Sequence, residues 1–401
     1  MNLIQNEKIT FEHLGRSKAI DLSDDEINNK YIKGEIRIVT EQARYPLPSI
    51  IQMLSTGDYK LNPEFQRRHR WNKTQKSKLI ESFIMNVPIP PIFLYEDSYS
   101  HYEVMDGLQR LTAIKDFYSN NFTLEGLEEW SELNGKKYSE LPVQIKKGID
   151  RRYLSSIILL QETAKNEIEA LKLKQLVFER INSGGVQLEP QEARNAVYNG
   201  PFNELCIKLA RYEYLCKTWN IPLPTEKEKD PKEELSVDLI RNELFSNMGD
   251  VELVLRFFAN RQRADLIKYT NSLKEYLNYY LKYANLLPSE TMMHLKNIFE
   301  DTLRFLFELL GKKAFYLYRE RNGKWSWFNR PTTAIYDPLT LIASEFLESK
   351  SIILDKKPQI TALLETFYKK NYTDFGGRNT NPSVVSQRET LFREFFITLT
   401  Q

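Results

Sequence analysis

Four residues at one predicted corner of the chain have the types that phosphate chemistry uses. In the stretch EVMDGLQRLTAIKDFY (103–118), Asp106 and Gly107 follow an apolar strand, and Gln109 and Arg110 lie in the first turn of a helix. The free N–H groups of a helix start attract anions, and a guanidinium presents a planar fork that matches phosphate. Glycine allows a ligand to approach the backbone, and glutamine can orient a water molecule or contact a base edge. These residues predict a corner that binds a phosphoester or a nucleotide.

The role of Asp106 is open at this stage, because a carboxylate repels bare phosphate. Asp106 could hold Mg²⁺, cap the helix or position Arg110, and Asp-Gly is also a common turn pair without further function. The helix that follows has a core face formed by Leu108, Leu111, Ile114 and Phe117. Gln109 and Arg110 lie off that face, and are therefore free to act at the corner.

Two further polar clusters combine charged or amide groups with turn residues. The first is the basic loop NPEFQRRHRW (62–71), which contains Gln66, Arg67, Arg68, His69 and Arg70. The second is the segment FERINSGGVQLEPQEARNAV (178–197), which contains Arg180, Asn182, Glu192, Arg194 and Asn195. The simpler structural interpretations are a solvated basic loop for the first cluster and a helix C-terminal cap with a turn for the second.

Composition and motif content exclude several classes of function. The 401 residues are 41% hydrophobic and 27% charged with a net charge of +2, which describes a globular protein without a dominant electrostatic attraction to nucleic acid. The histidines are scattered, and Cys206 and Cys216 have neither zinc nor disulfide spacing. No GxxxxGK[ST] loop and no long apolar run are present. We therefore expect no His-metal centre, no membrane span and, without a secretory signal, a cytoplasmic location.

Hydrophobic patterns divide the chain into a mixed region and a helical region. EIRIVT (35–40), PIFLYED (91–97) and HYEVMD (101–106) read as strands, and YLSSIILLQETA (153–164) reads as a buried central strand. Beyond about residue 237 apolar residues recur almost throughout at helical spacing. The predicted fold class is α+β. The predicted limits are a lead-in at 1–35, a mixed domain at 36–223, the charged segment PTEKEKDPKEELS (224–236) and a mostly helical domain at 237–401.

The three polar clusters, in their order along the chain, resemble the N-terminal domain of the GmrSD-type modification-dependent restriction enzymes. The resemblance covers roughly residues 36 to 260, and the chain is also similar to the nucleotide-hydrolysing N-terminal half of SspE, a phosphorothioate-sensing antiphage protein. A more distant similarity is to the ParB/sulfiredoxin-like fold, whose elements bind nucleotide phosphates. Its counterparts here are Asn62–Arg67, Leu79–Phe83, Pro91–Leu94 and Gly107–Ala113.

The resemblance implies a role for each cluster in binding and hydrolysing a nucleoside triphosphate with Mg²⁺. Asp106, Gly107, Gln109 and Arg110 match the family's DGQQR motif and would carry nucleotide binding and hydrolysis. Leu108 replaces a glutamine of that motif. Because Leu108 belongs to the core face of the helix, two outcomes stay open: the loss is tolerated, or hydrolysis is reduced or altered. Asp106 would be the Mg²⁺ ligand or would orient water. The implied nucleotide contacts are Gln66, Arg67 and Arg68 from the basic loop and Asn182, Glu192 and Asn195 from the third cluster.

The resemblance also implies that nuclease activity comes from another protein chain. Full-length GmrSD and SspE proteins carry a His-Asn-His nuclease, whereas His294 is the only histidine here beyond residue 101. We therefore expect a nucleotide-dependent sensor or regulatory subunit of a bacterial antiphage or restriction system that works with a partner nuclease. Two alternatives stay open: a DNA-binding module that uses residues 67–70, Lys146–Lys147 and Arg151–Arg152, or a metal-dependent nuclease that uses Asp106.

Overall fold

The chain forms two compact units in the computed structural model. The structure describes residues 3–11, 23–32, 38–61, 68, 71–160, 167–182, 189–229, 235–270, 272–375 and 381–401. Residues 19–188 form the first unit, called the α/β unit below. Residues 1–18 and 189–401 form the second unit, called the helical unit. No helix among these residues has the length and apolar content needed to cross a membrane.

A five-stranded mixed sheet is the framework of the α/β unit. Its strands are β1 (Thr40–Pro46), β2 (Tyr59–Lys60), β3 (Ile92–Ser98), β4 (His101–Asp106) and β5 (Tyr153–Leu159). The spatial order is β1-β5-β3-β4-β2. β5 pairs antiparallel with β1 and parallel with β3, while β4 pairs antiparallel with β3 and parallel with β2. The predicted buried strand is therefore an interior strand of the sheet, as expected.

Six helices of the α/β unit lie in the described part of the chain. They are α1 (Asp24–Ile32), α2 (Ile50–Met53), α3 (Lys73–Met85), α4 (Leu108–Tyr118), α5 (Val143–Asp150) and α6 (Glu167–Asn182). α3 begins at a capping box of Asn72 and Gln75, and ends at Asn86 in the left-handed conformation. The sheet shares one core with α2, α3, α4 and α5, to which α4 contributes Leu111, Ile114 and Phe117, all fully buried. A buried ion pair from Lys174 to Glu103, at 2.6 Å, joins α6 to β4.

The helical unit is built around a nearly fully buried helix. Its helices before the hairpin are α7 (Pro190–Val197), α8 (Pro201–Leu209), α9 (Glu213–Trp219), α10 (Val237–Arg241), α11 (Glu243–Ser246), α12 (Gly249–Asn260), α13 (Arg263–Leu266), α14 (Leu273–Ala284) and α15 (Ser289–Leu310). Those after it are α16 (Thr333–Glu345), α17 (Lys350–Leu354), α18 (Ile360–Lys370), α19 (Tyr372–Phe375) and α20 (Pro382–Thr400). α12 contacts α8, α14 and α16, and ten of its residues are buried.

A β-hairpin interrupts the helices of the second unit. Strands β6 (Tyr316–Arg321) and β7 (Lys324–Pro331) pair antiparallel. Asn322 and Gly323 form the turn with φ angles of 52° and 74°, the conformation that favours Asn-Gly in a two-residue hairpin loop. Helical periodicity alone does not predict this hairpin.

The first residues of the chain pack into the helical unit. The carboxylate of Glu7 is fully buried and accepts two hydrogen bonds from Arg261, at 2.5 and 2.8 Å. The ring of Phe11 contacts those of Tyr276, Tyr279 and Tyr283. The lead-in predicted at residues 1–35 is therefore packed against the helical unit at residues 3–11, and its residues Asp24–Ile32 form α1.

Two other boundaries differ from the sequence-based expectation. β1 begins at Thr40, where the strand EIRIVT was expected to end, and residues 35–37 lie outside the described residues. The contacts divide the chain at 188/189, whereas the sequence suggests the charged segment 224–236. Helices α8 and α9 belong to the helical unit because their apolar side chains pack there; Phe202, for example, contacts Phe258 and Tyr280. The fold is mixed α and β as predicted, and the domain limits themselves stay a prediction.

Replacing Glu7 by alanine is expected to destabilise the helical unit. The change leaves the buried guanidinium of Arg261 without its counter-charge, which costs about 3 to 5 kcal/mol. The control is Glu213→Ala, which removes the carboxylate of a more exposed ion pair with Lys217 and costs about 1 kcal/mol or less. Urea unfolding of both variants measures the difference. Equal unfolding midpoints for the two variants would contradict a structural role for the buried pair.

Candidate functional site

The backbone at Gly107 creates the corner between β4 and α4. Gly107 is the N-terminal cap of α4 with φ 92° and ψ 11°, a left-handed conformation. A Cβ atom on this residue would lie 2.3 Å from Cγ2 of Ile92 and 3.0 Å from Nη2 of Arg110. Glycine is therefore required by the φ angle and by close packing against β3. The expectation that it admits a ligand stays a prediction.

Asp106 and Arg110 form an ion pair across this corner. Nη2 of Arg110 donates to Oδ2 of Asp106 at 2.6 Å and to the carbonyl oxygen of Pro91 at 3.3 Å. Asp106 is not the cap of the helix, because the N-cap position of α4 is Gly107, which has no side chain to accept a hydrogen bond. The geometry therefore favours one of the three roles left open by the sequence, the positioning of Arg110.

Two buried donor groups at the corner lack an acceptor. Nε2 of Gln109 and Nε of Arg110 are shielded from water and have no hydrogen-bond partner among the residues that the structure describes. The other end of the Gln109 amide is occupied, because its Oε1 accepts from the backbone N–H of Trp71 at 3.1 Å. Leaving a buried donor unpaired costs about 1 to 3 kcal/mol, so a ligand that supplied acceptors here would recover that free energy.

The basic loop is described at one of its predicted site residues. Arg68 is 5% exposed, while Gln66, Arg67, His69 and Arg70 lie outside the described residues. Trp71 packs against the core of the α/β unit. The hydrogen bond from its backbone N–H to Gln109 joins the end of the loop to the corner. The predicted phosphate contacts of Gln66 and Arg67 therefore stay predictions.

The third cluster forms a buried polar network within the helical unit. Glu192 accepts from the N–H of Glu189 at 2.6 Å, and the Asn195 side chain accepts from Nε2 of Gln191 at 3.2 Å. Arg194 donates to Gln191, Glu252 and Asn278 at 2.6 to 2.9 Å. Glu192 and Asn195 are 5% and 0% exposed, and both serve the packing of α7. The side chain of Asn182 lies outside the described residues.

Burial and charge compete in this network. Burial lowers the pKa of Arg194, and the nearby carboxylate of Glu252 partly opposes that effect. Burial alone would raise the pKa of Glu252, but the guanidinium groups of Arg194 and Arg256 hold it below its ordinary value. Arg256 also forms a bidentate ion pair with Asp337, in which Nε donates to Oδ1 and Nη2 donates to Oδ2. These paired charges join α7, α12 and α16, which is a structural role that spacing along the sequence does not reveal.

Some of the basic residues predicted to contact DNA, at Lys146–Lys147 and Arg151–Arg152, form hydrogen bonds within the α/β unit. Nζ of Lys146 donates to the carbonyl oxygen of Ser139 at 2.5 Å, and Nε of Arg152 donates to that of Phe83 at 3.3 Å. Lys147 and Arg151 are exposed. Two of these four residues thus have structural partners, and the DNA contacts predicted at residues 67–70 stay predictions.

A cavity of about 890 Å³ lies in the helical unit, and its lining belongs to residues 189–333. The corner at residues 106–110 is not part of that lining. Within the described part of the chain, no group of three or more His, Cys, Asp or Glu side chains is arranged to hold a metal ion.

Replacing Gly107 by alanine is expected to destabilise the α/β unit by about 3 kcal/mol, because the strained φ angle and the clash with Ile92 add together. The matched control is Gly135→Ala in the same unit. Gly135 has φ 84° with open space around its Cα, so its substitution isolates the backbone cost of about 1 kcal/mol. Urea unfolding measures both variants. Equal losses would show that the contact with Ile92 does not constrain the corner.

Residues 47–199 match the family profile of the GmrSD restriction endonuclease, N-terminal domain. The matched segment contains all three polar clusters, from the basic loop through the corner to Asn195. No curated protein and no solved structure matches the chain. Residues 47–199, which are less than half of the chain, are therefore similar to the GmrSD restriction endonuclease N-terminal domain, and this similarity suggests a component of a restriction system.

Proposed function

We propose that the corner at residues 106–110 binds and hydrolyses a nucleoside triphosphate. The observation that carries the proposal is the pair of buried donors without acceptors, on Gln109 and Arg110, beside the uncapped start of α4. A triphosphate is rich in acceptor oxygens and negative charge, which the helix start and the guanidinium both favour. The family assignment of residues 47–199 supports placing this activity in a restriction system.

In this proposal each residue of the corner has its own role in binding phosphate or positioning water. Arg110, held by Asp106, stabilises phosphate charge, and the amide N–H of Gln109 donates to a phosphate oxygen or to the attacking water. Arg67 and Arg68, with Gln66, contribute from the basic loop. Leu108, which stands where the family has glutamine, is 7% exposed and faces the core, so it removes one polar group from the motif without disturbing the helix.

A nucleotide-borne Mg²⁺ fits the single carboxylate of this corner. Magnesium commonly takes one or two protein carboxylates together with phosphate oxygens, and Asp106 is 39% exposed with one oxygen already bonded to Arg110. When bound, the ion would neutralise phosphate charge. Glu192 and Asn195 are left out of the proposed contacts, because their polar atoms take part in hydrogen bonds around α7.

The proposed biological role is that of a sensor or regulatory subunit in a bacterial antiphage or modification-dependent restriction system. Nucleotide hydrolysis would regulate cleavage by a partner nuclease. The proposal includes a ParB/sulfiredoxin-like arrangement of the α/β unit, in which the corner corresponds to the nucleotide-binding turn. A nuclease built on Asp106 is less well supported, since a single carboxylate paired with an arginine is a poor metal site for phosphodiester hydrolysis.

Replacing Arg110 by alanine is expected to weaken triphosphate binding about 10- to 100-fold, because a charge-assisted hydrogen bond contributes about 1.5 to 3 kcal/mol. Arg110→Lys keeps the charge but loses the planar fork, and an intermediate affinity is expected. Lys115→Ala removes a positive charge from the same helix and serves as the control. Calorimetric titration with each nucleoside triphosphate measures the affinities. Unchanged affinity in Arg110→Ala would refute the proposed site.

Replacing Asp106 by asparagine is expected to lower Mg²⁺-dependent phosphate release by about 100-fold while Mg²⁺-free nucleotide binding is retained or tightened. Asparagine still offers an acceptor to Arg110, but it removes the carboxylate charge that holds the cation and repels phosphate. The control is Asp116→Asn on the same helix, whose carboxylate pairs with Lys76. Initial rates of phosphate release measure the effect. A wild-type rate in Asp106→Asn would exclude this residue as the metal ligand.

A further inference from the structure

The hairpin of β6 and β7 has one face that is fixed against the helical unit. The register pairs Tyr318 with Trp327, and the ring of Tyr318 contacts those of Trp325 and Trp327 at 5.6 and 5.2 Å. Trp327 contacts the ring of Tyr368 on α18 and donates from its indole N–H to Glu365 at 3.1 Å. This inner face is therefore an aromatic layer that anchors the ribbon.

The outer face of the hairpin is basic. In the regular part of the ribbon its residues are Arg319, Arg321, Lys324 and Ser326. Phe328 and Arg330 follow beyond a register shift, and both also line the cavity of the helical unit. The guanidinium carbons of Arg319 and Arg330 lie 4.0 and 5.5 Å from the centre of the Phe328 ring. Three positive charges, on Arg319, Arg321 and Lys324, thus share one face of the two-stranded ribbon, with Arg330 beyond the register shift. The hairpin's acidic residue, Glu320, follows the register of the inner face.

The charges on this outer face are not neutralised within the described part of the molecule. None of the four basic side chains lies within 4.0 Å of a carboxylate there, and Arg321, Lys324 and Arg330 are exposed. Stacking on Phe328 limits the freedom of two guanidinium groups while leaving their N–H donors at the edge. A face of this kind is arranged to bind a repeated negative charge.

We propose that the outer face of the β6–β7 ribbon binds the phosphate backbone of duplex DNA, with the ribbon in the major groove. The major groove of B-form DNA admits a two-stranded β-ribbon, and basic side chains on such a ribbon reach the phosphates that flank the groove. This surface lies outside the GmrSD-matched segment and belongs to the helical unit, whereas the proposed nucleotide site belongs to the α/β unit. It therefore adds a DNA contact in the helical unit.

The distribution of aromatic residues favours a duplex over a single strand. Single-strand binding relies on exposed aromatic platforms. Tyr318, Trp325 and Trp327 belong to the inner face, and the one aromatic ring of the outer face, Phe328, is stacked with the guanidinium groups of Arg319 and Arg330. A-form RNA has a deep and narrow major groove that excludes a ribbon. The occupant that fits both the charge and the shape of this face is B-form DNA.

The test compares two double variants of the full chain by fluorescence anisotropy without nucleotide. Arg321→Ser/Lys324→Ser removes two charges at the tip of the ribbon, and Lys350→Ser/Lys357→Ser removes two exposed charges elsewhere in the helical unit. The probe is a short duplex DNA, titrated over a range of salt concentrations. Because each phosphate contact contributes about 0.9 to the salt slope, the tip variant is expected to lower that slope by about 1.8 and to bind at least about tenfold more weakly. The control variant is expected to match the wild type.

Three outcomes would overturn the proposal. The first is an unchanged affinity and salt slope in the tip variant. The second is equal, tip-dependent binding of an RNA duplex or a single strand of the same sequence, which would exclude the major groove. The third is tip-dependent binding of polyaspartate as tight as that of DNA, which would indicate an acidic protein partner. Arg110→Ala is expected to bind DNA normally in this assay, so a failed nucleotide site and a failed DNA surface remain distinguishable.

Discussion

The absence of a side chain at Gly107 is the constraint on which the candidate site depends. A Cβ atom there would overlap Ile92 on β3, so the chain turns from β4 into α4 at a distance that only glycine permits. That turn places Arg110 one helical turn after Asp106, within reach of its carboxylate. It also aligns α4 so that Leu111 and Ile114 enter the core. The fold and the proposed chemistry therefore depend on the same backbone conformation.

The ion pair of Asp106 and Arg110 resolves the difficulty that an acidic residue poses in a phosphate site. Paired with Arg110, the carboxylate orients the guanidinium and reduces the net charge that an incoming phosphate meets. The buried donors on Gln109 and Arg110 then distinguish the corner from an ordinary strand–helix turn, because such groups are normally satisfied in native proteins. In the helical unit buried charges have a different function. Glu7 with Arg261 and Asp337 with Arg256 hold distant segments together.

The two proposals use the two units differently. The α/β unit offers a compact corner of hydrogen-bond donors suited to a small, highly charged ligand, whereas the helical unit presents an extended basic ribbon suited to a polymer. The GmrSD match ends at residue 199, so the ribbon belongs to the part of the chain that the family assignment does not describe. A regulatory subunit that binds DNA through the helical unit and a nucleotide through the α/β unit would account for both surfaces.

Local features can be predicted from the sequence, because strand alternation, helical periodicity and turn residues act over a few positions. It predicted the corner at Asp106–Arg110, the helix that follows, and β5 as a buried interior strand. It missed the β6–β7 hairpin, although Asn322-Gly323 between aromatic-rich segments was a local signal for it. Which distant groups meet follows from tertiary packing: Glu7 pairs with Arg261, 254 residues away, and Glu192 and Asn195, which lie in α7, become buried in the helical unit. The partner of a buried charge and the covered face of a strand depend on which remote elements pack together, and local pattern carries no information about that choice.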